Sequence, residues 1–348
     1  MEATVIRFEK QIAHLFATRF NGSASAIALT GSQAKGFATA KSDIDLIVLI
    51  NDASEQLKND TFSTEMIDGY RAEILHLEPS YIKKKFDRYL TSSYDGITYD
   101  ERKFIEKLRS AIPIVGAQQW NDTVSNFSSD LYEASVLRKS LAMSSKIFDD
   151  AAAHYLEGDY LIAVDSVRSL LQHEIESLLC LAGDTSERRR WLLKRLEENS
   201  QIDRRITTGF AEFCYNMINN NYGSLKDWLD AAMRYHQYAQ LLINLQITDE
   251  EANYFIEYQK PFSGGFVSPD WLYIVHTSGK WFSKTLDRNV VIDKPIAMIL
   301  MFCHVHRSEE QISTMLSNYL DFSAKDHNAE RVKEMLTKLS EAGLLIRS

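Results

Sequence analysis

Three apolar segments within the first 80 residues have the length and pattern of β-strands. Residues 26–30 are apolar except for Thr30. Residues 43–50 begin with Asp-Ile-Asp and are apolar from there on, and residues 70–78 form a third strand-like segment. Short apolar runs bounded by turn-forming residues are typical of strands. Residues 5–19 predict an amphipathic helix, because their apolar positions recur at helical spacing. Together these segments predict a small α/β domain.

A loop and two helices are predicted beside these strands, from the polarity of the segments and from residues that favour helix starts. Residues 51–64 are polar and predict a loop. A short helix is predicted over residues 33–38, and another begins at Pro79, since proline favours the first turn of a helix. The predicted α/β domain extends over residues 1–125.

After residue 128 the pattern changes to helices without strands, which marks a domain boundary. These segments carry apolar residues three and four positions apart, the spacing of one helix face. They are predicted at residues 131–156, 160–181 and 187–196, with two more helices within residues 203–247. The pattern therefore predicts an all-α domain over residues 126–250.

A third domain is predicted over residues 251–348. Pro261 and the glycine pair that follows it precede two strand-like segments, at residues 271–275 and 289–292, and three helices follow. The predicted fold class is α+β: a small mixed-sheet domain, then the all-α domain, then a C-terminal domain of strands and helices.

The bend after the first strand has the residue types of a phosphate site. Gly31 permits backbone angles and close approaches that a side chain would forbid. Ser32 stands where the short helix would begin, so its hydroxyl and the first free backbone amides would face one point. Lys35, one turn further, can add a cation there. The alternative interpretation is an ordinary turn with a helix cap.

Acidic residues on the next two strands predict a metal site. Asp43 and Asp45 are two residues apart, so on a strand they share a face. Glu73 is the third candidate, and Glu78 is a weaker one because Pro79 ends its strand. Mg²⁺ prefers oxygen ligands, and two such ions can clamp the attacking and leaving oxygens of a displacement at phosphorus. The alternative is a solvated strand end.

The motif Gly31-Ser32-x-Ala34-x-Gly36, followed by Ser42-Asp43-x-Asp45, resembles the signature of nucleotidyltransferases related to DNA polymerase beta. The similarity is to their minimal and aminoglycoside-nucleotidyltransferase-like branches. The resemblance implies that Asp43, Asp45 and a later acidic residue, here Glu73, bind two Mg²⁺ ions. It also implies that the Gly-Ser turn, with Ser42, binds a nucleoside triphosphate, for which ATP is the expected substrate. Gln33 and Lys35 stand where relatives often carry arginine.

The middle of the chain is similar to the helical second domain of aminoglycoside-type nucleotidyltransferases, through Gly158-Asp159-Tyr160 and Arg190-Trp191. This resemblance implies that residues 126–250 bind the acceptor. Arg190 and Lys194, spaced four apart on a helix face, are predicted to contact the triphosphate; a solvated charged face is the alternative. The candidates for a general base are Asp165, His173 and Glu174, each with a purely structural role as the alternative.

The C-terminal strands and helices resemble a winged-helix module. Winged helices that bind DNA use a basic helix, whereas from Arg307 to the end six basic residues face seven acidic ones. The segment is more similar to peptide-binding winged-helix domains, which hold a peptide as an added strand. A packing or homodimerisation module is the alternative.

Composition and charge narrow the class of protein. The net charge of −9 argues against general nucleic-acid binding, which depends on basic groups. Three distant cysteines suit a reducing compartment, and no secretory leader or membrane span is expected, so the predicted location is the cytoplasm. Cys303-His304-Val305-His306 is a weak candidate for a zinc site, because no second ligand cluster accompanies it.

The predicted function is Mg²⁺-dependent transfer of a nucleoside monophosphate to a hydroxyl group. The acceptor is either a small hydroxylated molecule of aminoglycoside type or a peptide or protein held by the C-terminal domain. The alternative is a nucleotide-binding regulatory protein, or an antitoxin-like partner binder, without turnover. The presence of Asp43, Asp45 and Glu73 together favours an enzyme over a nucleotide sensor, since a sensor does not need two metal ions.

Overall fold

The computed structural model describes residues 2–51, 59–186, 188–216, 222–246, 265–319 and 329–347. The chain divides into two compact units. The first comprises Met1–Ser135 with Thr185–Arg188, and the second comprises Val136–Asp184 with Arg189–Ser348. The predicted boundary near Pro261 lies outside the described residues, and the division into three domains stays a prediction.

The first unit is built on a five-stranded sheet with the strand order β3-β4-β2-β1-β5. The pair β2 and β4 is parallel, and the other neighbours are antiparallel. The strands are β1 (Ala24–Thr30), β2 (Ile44–Ile50), β3 (Thr61–Ile67), β4 (Tyr70–Leu77) and β5 (Ile112–Val115). The helices are α1 (Glu2–Leu15), continued by a π-helical turn (Phe16–Phe20), then α2 (Gly31–Ala34), α3 (Pro79–Thr91), α4 (Tyr99–Arg109) and α5 (Ala117–Val124). The helix α6 (Ser129–Glu157) begins in this unit.

The apolar runs of β1 and β2 form the core of this sheet. Their residues from Ala26 to Leu29 and from Leu46 to Ile50 are almost fully buried. Phe8 of α1 belongs to the cluster formed by one face, which includes Ile27 and Val48. A strand buried on both faces reads as a continuous apolar run, which is why these two strands are evident in the sequence.

Two predictions for this unit were wrong in detail. Residues 61–64, assigned to a loop, belong to β3, which pairs with β4 across a tight turn. β3 is an edge strand whose apolar residues Phe62 and Met66 are exposed, while polar residues take the half-buried positions, so its apolar pattern does not mark a buried face. Residues 52–58 of that predicted loop lie outside the described part of the chain. The helix predicted over residues 33–38 is the single turn α2.

The second unit contains helices and two small sheets. Its helical segments are the rest of α6, α7 (Tyr160–Leu181), a 3₁₀ turn (Arg189–Trp191), α8 (Leu192–Glu198), α9 (Arg204–Phe210), a π-helical turn (Ala211–Tyr215) and α10 (Leu225–Leu245). The C-terminal helices are α11 (Lys294–Phe302), α12 (Glu309–Tyr319) and α13 (Ala329–Glu341). The strands are β6 (Phe266–Val267), β7 (Leu272–Thr277), β8 (Lys280–Thr285), β9 (Asn289–Ile292) and β10 (Ile346–Arg347).

The helical and C-terminal segments of the second unit share buried contacts. His236 of α10 is bonded to the carbonyl oxygen of Leu272 at 3.1 Å, and the Ile274 amide donates to Oε1 of Gln240 at 3.2 Å. The winged-helix resemblance of the C-terminal segment stays a prediction. A mixed five-stranded sheet followed by many helices confirms the predicted fold class. Throughout the described residues, no helix has both the length and the apolar character needed to cross a bilayer.

Candidate functional site

Gly31 and Asp45 meet where β1 ends and β2 begins. Thr30 pairs with Asp45 across the antiparallel ladder, and Gly31 follows with φ +69°. A Cβ atom at Gly31 would lie 2.0 Å from Oδ2 of Asp45. Glycine is therefore required at this position for two reasons: the backbone is left-handed, and the Asp45 carboxylate lies where a side chain would be.

Asp45 and Glu73 are neighbours on adjacent strands. They are partners in the parallel ladder between β2 and β4. Neighbouring strands lie about 4.8 Å apart, so the two carboxylates leave the sheet side by side. Their side chains are 18% and 34% exposed, accessible to a ligand yet partly shielded from water. Asp43 lies one residue before β2 and is half-buried.

Two cations contact these carboxylates. Nη2 of Arg71 lies 2.8 Å from Oε1 of Glu73, and Nζ of Lys107 lies 3.3 Å from Oδ1 of Asp45. Within the described residues, one trio of histidine and carboxylate side chains has ligand atoms that are all within 4.8 Å of one another. That trio consists of His154, Glu157 and Asp159. The structure thus places Asp45 and Glu73 together without gathering the three predicted metal ligands into such a trio.

Residues 10–115, which include this whole arrangement, match the family model of the nucleotidyltransferase domain. This segment is a nucleotidyltransferase domain. Nucleotidyl transfer is the general activity of the family, which uses a nucleoside triphosphate and a divalent metal. Among solved structures, a nucleotidyltransferase-like protein from Exiguobacterium sibiricum 255-15 is similar at a TM-score of 0.38 and 13% identity, covering 75% of this chain and 81% of that chain. No curated protein matches the chain.

The carboxylates of the nucleotidyltransferase domain fit a divalent metal by two criteria. Asp43, Asp45 and Glu73 offer hard oxygen donors, the ligands that Mg²⁺ prefers. The missing side chain at Gly31 also leaves Oδ2 of Asp45 in a space that a Cβ atom would fill. The assignment of Asp43, Asp45 and Glu73 as the metal ligands stays a prediction.

The predicted phosphate ligands of the nucleotidyltransferase domain differ in their surroundings. Ser32 is buried, and its carbonyl oxygen accepts from the Phe37 amide at 2.9 Å. Oγ of Ser42 accepts from the Thr39 amide at 2.9 Å, so this side chain closes the loop before β2. Lys35 follows α2, and its ammonium contacts Glu106 and Ser186.

A buried carboxylate, Glu106 of α4, contacts cations beside the bend that follows β1. Nζ of Lys35 lies 3.7 Å from Oε2 of Glu106 and donates to Oγ of Ser186 at 3.0 Å. The hydroxyls of Tyr132 and Thr185 both donate to Oε1 of Glu106, at 2.9 and 2.5 Å. Burial, followed by the charge of Glu106, raises the pKa of Tyr132 well above its usual value. Lys35 is thus held in place by the first unit itself.

Sequence reasoning missed Glu106 and Lys107. The one available signal is the spacing of Arg102, Glu106 and Arg109, which puts three charged residues on one face of α4. Arg109 is itself bonded in the structure, since it donates to Glu133 at 2.9 Å. A helix face with both signs of charge ordinarily predicts a solvated surface, whereas on this face Glu106 pairs with Lys35 and Arg109 pairs with Glu133.

Arg190 and Lys194 lie in the second unit. Arg190 is exposed on the 3₁₀ turn, and its guanidinium lies over the Trp191 ring at 4.8 Å. Nζ of Lys194 lies 3.8 Å from Oε1 of Glu198, and its side chain is 43% exposed. Their role as triphosphate contacts stays a prediction.

The three candidate general bases have different environments. Glu174 is fully buried, its Oε1 lies 2.7 Å from Nδ1 of His236, and burial raises its pKa. A carboxylate inside the core cannot reach an acceptor, so Glu174 has a structural role. His173 is also buried and contacts Arg189 at 2.6 Å. Asp165 remains as the exposed candidate on α7.

The weak zinc candidate is a core segment. Cys303 and His304 are buried, and Nδ1 of His304 contacts the Met301 carbonyl oxygen at 3.0 Å. Burial raises the pKa of Cys303 to about 12, and burial together with Arg307 lowers the pKa of His304 to about 4. Across the residues that the structure describes, these two side chains belong to no trio of metal-ligating groups.

Proposed function

We propose that the nucleotidyltransferase domain transfers a nucleoside monophosphate from a nucleoside triphosphate, expected to be ATP, to a hydroxyl group of an acceptor. The contact between Gly31 and Asp45, beside Glu73, supports this proposal. Adjacent carboxylates repel each other unless cations lie between them. A protein that only senses a nucleotide would gain nothing from this arrangement, whereas phosphoryl-transfer chemistry uses it.

Each residue of the site has a defined task in this proposal. Asp43, Asp45 and Glu73 would hold two Mg²⁺ ions. When bound, the ions would neutralise charge on the phosphates and lower the pKa of the acceptor hydroxyl. Gly31 lets the backbone approach the triphosphate, and the hydroxyl of Ser32 orients it. The rate enhancement comes from positioning and charge neutralisation.

The bond changes are those of a simple displacement. The acceptor oxygen bonds to the α-phosphorus, and the bond from that phosphorus to the bridging oxygen of the β-phosphate breaks. Pyrophosphate leaves, and the proton of the acceptor hydroxyl passes to a base, for which Asp165 is the exposed candidate. Two acceptor classes are proposed, a small hydroxylated molecule and a peptide or protein held by residues 251–348.

A labelling experiment tests this function and separates the acceptor classes. The purified chain is incubated with Mg²⁺, each α-labelled triphosphate in turn, and a cell extract separated into small-molecule and protein fractions. Asp45→Asn is compared with Asp100→Asn, a matched change in the same domain at a carboxylate that is 89% exposed. We expect label in one fraction with the wild type and Asp100→Asn, and a loss of about 100-fold or more with Asp45→Asn.

The other outcomes of this experiment are equally informative. Equal labelling by wild type and Asp45→Asn would contradict the role of the carboxylates. Tight nucleotide binding without labelling of either fraction would support the regulatory alternative instead. Label in the protein fraction would favour a role for the C-terminal segment in holding the acceptor.

A further inference from the structure

Lys107 places a cation directly on the carboxylate that the proposed function assigns to a metal. Its Nζ lies 3.3 Å from Oδ1 of Asp45, and the two side chains are 26% and 18% exposed. The carbonyl oxygen of Lys107 also accepts from Oγ1 of Thr30 at 2.8 Å. This second contact fixes the last turn of α4 to the end of β1, so the fold directs the ammonium to Asp45.

Lys107 therefore occupies one oxygen of the Asp45 carboxylate, while the other oxygen lies beside Gly31, which has no side chain. Oδ2 faces Gly31, at the position where a Cβ atom would lie 2.0 Å away, and Oδ1 faces Lys107. A divalent cation that binds Oδ1 must displace the ammonium, because two positive charges at this distance repel each other in a partly shielded site. The ammonium therefore weakens the binding of free metal.

A triphosphate reverses this balance. It brings several negative charges, and lysine binds phosphate as a compact point charge. The displaced ammonium of Lys107 can then contact a phosphate oxygen while the metal contacts Asp45. Since Lys107 no longer competes with the metal, nucleotide and metal favour each other's binding.

We propose that Lys107 excludes free divalent cations from Asp45 and that the nucleoside triphosphate releases this block, so that metal and nucleotide bind together. The inference rests on the proposed function, because it takes Asp45 as a metal ligand. In this proposal α4, through Lys107, couples the binding of the metal to the binding of the nucleotide.

The test measures binding without turnover. The affinity for Mn²⁺, in the absence of nucleotide, is determined from the electron paramagnetic resonance signal of the free ion. Lys107→Gln is compared with Lys103→Gln, which removes the same charge one turn earlier on α4, where Lys103 contacts Asp100 at 3.2 Å. Lys107→Arg retains the charge at the site. Thermal unfolding checks that each variant is folded.

We expect Lys107→Gln to bind Mn²⁺ about three to ten times more tightly than wild type, within the usual range of coupling between sites. Lys103→Gln and Lys107→Arg should stay within about twofold of wild type, below that range. Adding Asp45→Asn to Lys107→Gln should remove the gain, which locates the ion at Asp45. In the presence of EDTA, Lys107→Gln should bind a non-hydrolysable triphosphate several-fold more weakly than Lys103→Gln.

Equal Mn²⁺ affinities for Lys107→Gln and Lys103→Gln would overturn the inference, as would an absence of Mn²⁺ binding by Lys107→Gln. Either result, combined with labelling that depends on Asp45, would leave the proposed function intact. Labelling that does not depend on Asp45 would overturn the proposed function and this inference together.

Discussion

Replacing Gly31 by alanine tests whether the bend after β1 positions the Asp45 carboxylate. The new Cβ atom would lie 2.0 Å from Oδ2, 2.7 Å from Cγ and 2.9 Å from Cβ of Asp45. Ordinary contact begins at 3.4 Å, so Oδ2 must move by 3.4 − 2.0, or about 1.4 Å. A displacement of about 1 Å in a reacting group costs about 100-fold in rate.

Gly36 provides a matched control in the same loop. Its φ is +76°, close to the +69° of Gly31, but a Cβ atom there would meet nothing within 4 Å. Alanine at either position should lower the free energy of unfolding by about 1–2 kcal/mol, because both adopt a left-handed backbone. The two variants therefore share the backbone strain and differ in the collision with Asp45.

The assay compares label transfer with stability for both variants. We expect Gly31→Ala to lose about 100-fold or more in kcat/KM, whereas Gly36→Ala retains most of its activity. Urea unfolding should show that both variants fold, with a larger loss of stability for Gly31→Ala because the collision adds to the shared backbone strain. Equal activities of the two variants would refute the reasoning, since the position of the carboxylate would then not depend on Gly31.

Three further predictions concern buried groups. Glu106→Gln should lower the free energy of unfolding by about 3 kcal/mol, because it removes the charge that faces Lys35 in a buried network. In the same urea titration, the exposed control Asp100→Asn should change this free energy little. The pKa of His304 falls from 6.5 unfolded to about 4 folded, so the unfolded chain binds the extra proton between these values. Stability should therefore decrease by up to about 3 kcal/mol as the pH falls from 6.5 to 4; His304→Gln should lack this contribution, and an unchanged pH dependence would contradict the assignment. Because burial raises the pKa of Cys303 to about 12, iodoacetamide at about pH 8 should label it only after unfolding in urea, and rapid labelling of the folded chain would show that the thiol is accessible.

The sequence was sufficient to predict the strands that carry the site. β1, β2 and β4 were expected within two residues of their observed bounds, because long apolar runs and the Asp-x-Asp pattern are local signals. The neighbouring positions of Asp45 and Glu73 follow from the pairing of β2 with β4. Asp43, expected within the strand, lies just before it.

The contacts that complete the site could not be predicted in this way. Lys107 meets Asp45 across 62 residues of sequence, and Lys35 meets Ser186 across 151. Such contacts depend on how distant elements pack, and a lysine on a helix has no local feature that distinguishes a site residue from a solvated one. The same reason explains Glu174, whose partner His236 becomes evident only when α7 and α10 are packed together.

Thr185 donates a hydrogen bond to Glu106, and Ser186 accepts one from Lys35. These contacts affect when the first unit can complete its folding. During synthesis, the polar cluster around Glu106 and Lys35 stays incomplete until the ribosome has added roughly fifty residues beyond Ser135. A fragment that stops after the sheet and its helices would leave the Glu106 carboxylate without one of its hydroxyl donors. Expression of the first unit alone therefore calls for a fusion that supplies residues 185–188.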